Sequence, residues 1–112
     1  MMTRCTLHLD SESRIIGVTV KGHSGYAEEG SDIVCAGVSA LVTTIDNALV
    51  KLVGLKLIER EGDGLAEFFL PSRITDKQMQ DAQLLFSTLH LGLDNIAQDY
   101  PHHVQLTTRR GK

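Results

Sequence analysis

Two side chains in one stretch of this sequence have the types and the spacing for nucleophilic chemistry. They are His23 and Cys35, within GHSGYAEEGSDIVCAGVSALV, residues 22–42. The thiolate is the reactive form of cysteine, and a neighbouring imidazole is a suitable acceptor for its proton. Cys35 lies where an apolar run of helical spacing begins, in a first helical turn; with Ser31 or Asp32 as N-cap it is roughly the third or fourth helical residue. Free backbone N–H groups and the helix dipole favour negative charge at that end. The same amides, those of Cys35 and Ala36 in particular, are candidates to bind the oxyanion formed when a thiolate attacks a peptide carbonyl. His23 follows a strand-like segment, and a chain that leaves a strand and re-enters a helix packed on it can return to that strand's end.

Helical spacing also arranges the neighbours. Asp32, Cys35, Ser39, Thr43 and Asp46 differ by three or four positions and form a polar strip beside the apolar one. Asp32 has two readings: a helix cap and dipole partner, or the third group that orients His23. Ser39 hydrogen-bonds within the site or bonds back to the carbonyl one turn earlier. Taken singly, each residue of the pair has an ordinary explanation, since free cysteine commonly packs as a small hydrophobe and a lone histidine is rarely a base. Their joint position beside a glycine-rich segment and a helix start is what points to catalysis.

The elements that must position this pair are legible from periodicity. Cys5, Leu7 and Leu9 alternate within Thr3 to Asp10, and Ile16, Val18 and Val20 do the same after a polar turn, Asp10 to Arg14, which predicts a β-hairpin. Gly22, Gly25 and Gly30, with Glu28 and Glu29, mark residues 22–31 as a mobile exposed loop. Val34, Val38, Leu41, Ile45, Ala48 and Leu52 then trace one face of a central helix that stops before Gly54. Leu55 to Arg60 and Leu65 to Leu70 flank a Gly62-Asp63-Gly64 turn and predict a second hairpin. Thr75 and Gln78 form a capping-box signature, and Met79, Ala82, Phe86, Leu89, Leu93 and Ile96 trace a second amphipathic helix that ends before Pro101. Val104 and Leu106 alternate with polar neighbours in a last strand. The order β-β-α-β-β-α-β predicts one α+β domain over residues 1–112, a small mixed sheet of about five strands packed with two amphipathic helices.

Composition narrows the function. At 112 residues the chain has room for one core, filled by Leu, Val, Ile and Ala with Phe68, Phe69 and Phe86 as the large side chains. A net charge of −3 and 4% aromatic residues argue against a nucleic-acid partner, which demands a basic face or stacking rings. Arg109, Arg110 and Lys112 are the one basic cluster and read as a solvated tail. The first ten residues lack the apolar stretch of a secretory signal, and no apolar run reads as a membrane span, so a cytoplasmic location with reduced thiols is expected and no membrane partner.

With those residues in view, the segment resembles the signature of the bacterial ribosomal-processing cysteine protease family (Prp). The shared pattern is a Gly-His pair, a glycine-rich loop, then Asp-Ile-Val-Cys-Ala and Val-Ser-Ala-Leu, here Gly22-His23 and Asp32 to Leu41. Ser24 departs from the alanine more usual there. The resemblance implies a homodimeric thiol protease that uses no cofactor and removes the N-terminal extension of bacterial large-subunit ribosomal protein twenty-seven, cutting after a segment with paired phenylalanines followed by alanine. Carried over, it makes His23 and Cys35 the catalytic dyad, supported by Asp32, Ser39, Gly22 and Ala36. The loop would then order over substrate. The acidic Glu28, Glu29 and Asp32 suit a basic ribosomal substrate, and apolar pockets near the helix start suit phenylalanine rings.

Three other readings compete. His8, His23, His90, His102, His103, Cys5 and Cys35 are potential metal ligands, but their spacings match no zinc signature, so no metal is expected. A non-catalytic dimeric module that binds ribosomal or ribosome-assembly proteins makes Cys35 dispensable. A thiol redox sensor needs a resolving thiol, and Cys5, inward on a strand, is a poor one.

Overall fold

The structure is a computed structural model that describes residues 2–22 and 31–111, apart from the side chains of Ser31 and Asp32. His23 and the rest of the expected loop up to Gly30 lie outside the described residues. The elements are β1 (Thr3–Leu9), β2 (Ile15–Lys21), α1 (Ser31–Lys51), β3 (Ile58–Gly62), β4 (Leu65–Phe69), α2 (Asp76–Asp99) and β5 (Val104–Arg110). This is the α+β order read from the sequence. They build one five-stranded sheet in the order β3-β4-β2-β1-β5. β1 runs antiparallel to β2 and parallel to β5, while β4 runs antiparallel to both β2 and β3.

Strand alternation divides the sheet into two faces. Thr3, Cys5 and Leu7 of β1, Val18 and Val20 of β2 and Phe68 of β4 are buried in a core shared with both helices. From α1 come Val34, Val38, Val42, Ile45 and Leu49, and from α2 Ala82, Phe86, Leu89 and Leu93. Phe68 and Phe86 stack with centroids 6.1 Å apart, linking sheet to helix. By length and composition the segment Ile33–Lys51 passes for a membrane span, contrary to the sequence reading, yet in the fold it is the central core helix, burying its apolar stripe against the sheet and α2.

Local signals set the ends of these elements. Thr75 caps α2 as a full capping box: the Gln78 amide donates to Thr75 Oγ1 at 3.0 Å and the Thr75 amide to Gln78 Oε1 at 2.9 Å. In the first hairpin turn the amides of Glu12 and Arg14 each donate to Asp10 Oδ1 at 2.9 Å, and these bonds hold the Asp10 carboxyl below its usual range.

Four expectations are corrected. Leu52 falls beyond the end of α1 and is 82% exposed, because the chain turns away toward Gly54. β3 starts at Ile58, not Leu55; Leu55 instead buries in the core, its amide bonded to the Leu49 carbonyl at the helix end. Phe69 is no core filler: it points to the open face, where its ring lies 4.8 Å from that of His8. Gly17 makes this possible, since a Cβ there would meet the Phe69 ring and come within 2.8 Å of the Phe68 carbonyl oxygen. Arg109 and Arg110 belong to β5, and Arg110 donates to the carbonyls of Asp10 and Ser11 and to Ser13 Oγ, tying the strand to the first turn.

Candidate active site

Cys35 is the fifth residue of α1, one position deeper than the sequence suggests, and is half-buried. At that depth its own amide and that of Ala36 fall within the i→i−4 ladder, so the free donors belong to the turn before them. Its Sγ lies 3.4 Å from Thr3 Oγ1 on β1. Thr3 is 2% exposed, and its strand is held on both sides: the Thr3 amide donates to the His103 carbonyl at 2.8 Å, and β2 pairs along the other edge.

Next to this contact β2 ends. Gly22 adopts φ +92°, its amide donates to the Gly64 carbonyl at 2.9 Å, and a Cβ on it would stand 2.5 Å from the Met2 carbonyl oxygen. Only a residue without a side chain fits this close approach with that backbone. Gly22, the residue before His23, therefore lies beside Met2 and Thr3 at the start of β1. The side chains of His23 and Asp32 are not among the described residues; Ala36 and Ser39 are exposed on α1 beyond Cys35.

The two cysteines have opposite surroundings. Cys5, two positions after Thr3 on the same face, is 1% exposed, and burial, with a smaller contribution from the charge of Cys35, pushes its thiol up to about 12. It is a locked core thiol, as its strand position predicts. Cys35 is the accessible one.

Between α1 and the second hairpin runs a groove whose lining on α1 begins one turn beyond Cys35, at Val38 and Ser39. Its first part, a cavity of about 260 Å³, is lined by the apolar Val20, Val38, Val42, Leu65 and Ala66 together with the polar Ser39, Thr43 and Glu61. The second, about 280 Å³, continues past Val42 and Thr43 to Asp46, Glu59 and Glu61. The predicted polar strip Ser39, Thr43 and Asp46 thus borders one continuous groove. Asp46 and Glu59 hydrogen-bond to each other across it, and sharing a proton with Asp46 raises the Glu59 carboxyl above its ordinary range.

Among the described residues no group of three or more His, Cys, Asp or Glu side chains is arranged to hold a metal. A part-buried histidine network around His8 lies on the opposite sheet face. Thr19 donates to Glu67 Oε2 at 2.5 Å and accepts from His8 Nε2 at 2.7 Å, so Nε2 carries the proton of the neutral ring. Burial lowers the His8 pKa, the Glu67 charge partly opposing it. The Thr3 contact was missed in the sequence; the available signal was a polar residue in phase with inward Cys5 and Leu7.

The family model for cysteine protease Prp matches residues 2–105. This chain belongs to the Prp cysteine protease family. It is 32% identical over 109 residues to the ribosomal processing cysteine protease Prp of Bacillus subtilis, covering 96% of this chain and 97% of that protein. The fold is likewise that of solved family members. A Staphylococcus aureus ribosomal processing protease Prp in complex with a substrate peptide superposes with a TM-score of 0.84 at 25% identity, covering 96% of this chain and all of that one. The same S. aureus protease with a covalently linked product peptide gives 0.81 at 26% identity and the same coverage. SMU.848 from Streptococcus mutans gives 0.81 at 34% identity, over 98% of this chain and 96% of that one. As a Prp-family cysteine protease, the chain needs an accessible thiol, and of its two cysteines Cys35 meets that requirement.

Proposed function

We propose that this enzyme removes the N-terminal extension from the precursor of bacterial large-subunit ribosomal protein twenty-seven, with Cys35 as nucleophile and His23 as general base. The observation that carries the reading is an accessible thiol on α1 with Thr3 against its sulfur, beside the point where Gly22 closes β2 immediately before His23. Support for the substrate comes from the relatives, which are named ribosomal processing proteases. A product peptide linked covalently to the S. aureus relative is what a cysteine nucleophile leaves behind.

The reaction follows from these roles. His23 takes the Cys35 proton, and the thiolate attacks the scissile carbonyl carbon to form a tetrahedral oxyanion. The C–N bond breaks as the imidazolium returns the proton to the leaving amine, and a thioester remains. A water molecule, deprotonated by the same imidazole, then hydrolyses the thioester and frees the thiol. Backbone amides of the first turn of α1 hold the oxyanion. Asp32 orients His23, and Ser39 lines the substrate path beyond the thiol. The apolar first part of the groove takes a phenylalanine side chain, and its acidic far end suits a basic ribosomal protein. The working form is a cytoplasmic homodimer, which sedimentation of the purified protein tests directly.

The decisive experiment incubates the purified protein, Cys35→Ala and His23→Ala separately with the extended ribosomal protein, and reads the product N-terminus by mass spectrometry. The parent cleaves after the segment with paired phenylalanines followed by alanine. Cys35→Ala gives no product, and His23→Ala is slower by a factor on the order of 10² or more. Uncleaved substrate that binds parent and variants alike would replace the protease reading with a binding module.

A further inference from the structure

We infer that Thr3 is a further catalytic residue, whose hydroxyl holds the Cys35 sulfur in place and supports its thiolate. This rests on Cys35 being the nucleophile.

The case begins with the strand pattern. On β1 the positions that face the helices are Thr3, Cys5 and Leu7, all at most 2% exposed. Cys5 and Leu7 are apolar fillers, and valine, with nearly the same shape as threonine, would fill the first position without burying a hydroxyl. A buried hydroxyl costs roughly 1–3 kcal/mol unless it finds a hydrogen-bond partner. Here the partner is Cys35 Sγ at 3.4 Å.

The polarity of that bond favours one protonation state. A thiolate has no proton to give, so the threonine O–H donates to it, and a charge-assisted bond is about twice as strong as its neutral counterpart. When sulfur is protonated, or acylated in the thioester, its negative charge is gone and the bond weakens. The interaction is therefore strongest in the state that attacks and in the state that leaves the thioester.

The aim of the hydroxyl is set by structure rather than by chance. Threonine is β-branched and stiff at χ1. Its backbone is fixed by the bond from its amide to the His103 carbonyl and by parallel pairing with Val104. Sulfur and hydroxyl come from elements 32 residues apart in sequence, so the contact also docks the start of α1 on the edge of β1.

The test compares the parent with Thr3→Val, which keeps the shape and removes the hydroxyl, and Thr3→Ser, which keeps the hydroxyl. Two readouts are taken at one neutral pH: the rate of Cys35 alkylation by iodoacetamide, and kcat and KM for cleavage of the extended ribosomal protein. Thr3→Val should be alkylated about tenfold more slowly, and lose a similar factor in kcat with KM unchanged, while Thr3→Ser stays within about twofold of the parent. Thr3→Ala deletes the same hydroxyl in a smaller side chain and must show the same loss if Thr3→Val does not fold. Parental alkylation rates in both hydroxyl-less variants, or a Thr3→Ser as slow as Thr3→Val, would overturn the role. Alkylation needs no substrate, so failure of the ribosomal-protein assignment alone leaves this readout intact and is told apart from failure of the Thr3 role.

Discussion

The contrast between the two thiols has a measurable thermodynamic consequence at Cys5. Its side chain is 1% exposed on β1, between Val20 of β2 and Leu106 of β5 in the sheet register. Burial raises the thiol from 9.0 to about 12. In the unfolded chain the thiol ionises near its ordinary value, whereas in the folded chain it stays protonated. Between those two values the folded state binds more protons, so stability is fully present below about pH 9 and falls as pH rises toward the folded value. Each unit corresponds to about 1.4 kcal/mol, so the loss at about pH 10.5 is on the order of 2 kcal/mol. Cys5→Ala removes this titration and substitutes a packing cost on the order of 1 kcal/mol that does not vary with pH. Urea unfolding of both proteins across the range from neutral to about pH 10.5 separates the two effects, because other alkaline groups titrate in both and cancel. The variant should be the less stable protein at neutral pH, and the difference should shrink and then reverse as the solution becomes alkaline. A difference that stays constant across the range would show that the Cys5 thiol is not held neutral by the fold.

Two further tests address the frame and the groove. Gln83 on α2 accepts from the Ile15 amide at 2.8 Å and donates to the Ile15 carbonyl at 2.7 Å, clamping the start of β2. Gln83→Leu leaves both backbone groups without that partner and should cost about 2–3 kcal/mol in urea unfolding, with the Cys35 alkylation rate unchanged in the folded protein. Glu59→Gln keeps a donor for Asp46 but no longer ionises. Because the Glu59 carboxyl is raised above its ordinary 4.5, the proton it shares with Asp46 stabilises the fold in acid, and that contribution is lost as pH rises through the raised value. The variant should therefore have a higher melting temperature than the parent at neutral pH, and the gain should vanish in acid; an equal gain at both would refute the shared proton.

Much of the scaffold is written in local sequence. Apolar spacing of three and four through Val34 to Leu49 and Ala82 to Leu93 is a property of helix geometry, and Thr75 with Gln78 closes a cap within a single turn. Alternation at Cys5 and Leu7 assigns strand and face together. The candidate nucleophile and base were legible for the same reason, since glycines and a helix start are local marks around His23 and Cys35.

Other features required the chain to be closed on itself. Phe68 and Phe69 are adjacent and both apolar, so alternation could not choose between them; the pairing of Val18 with Phe68 and of Gly17 with Phe69 sends the first to the core and the second to the open face. Periodicity ran on to Leu52 because spacing carries no end signal, and the chain's turn toward Gly54 left that side chain exposed. Arg110 finds its partners about a hundred residues away at the first turn, and Thr3 meets Cys35 across 32 residues. The sequence by itself determined the elements, their order and the reactive residue types, because these depend on backbone sterics and side chains a few positions apart. Strand order, the parallel β1–β5 pair, the groove beside α1 and the hydroxyl against the Cys35 sulfur were decided by tertiary structure alone, since register between distant segments depends on how the whole core packs.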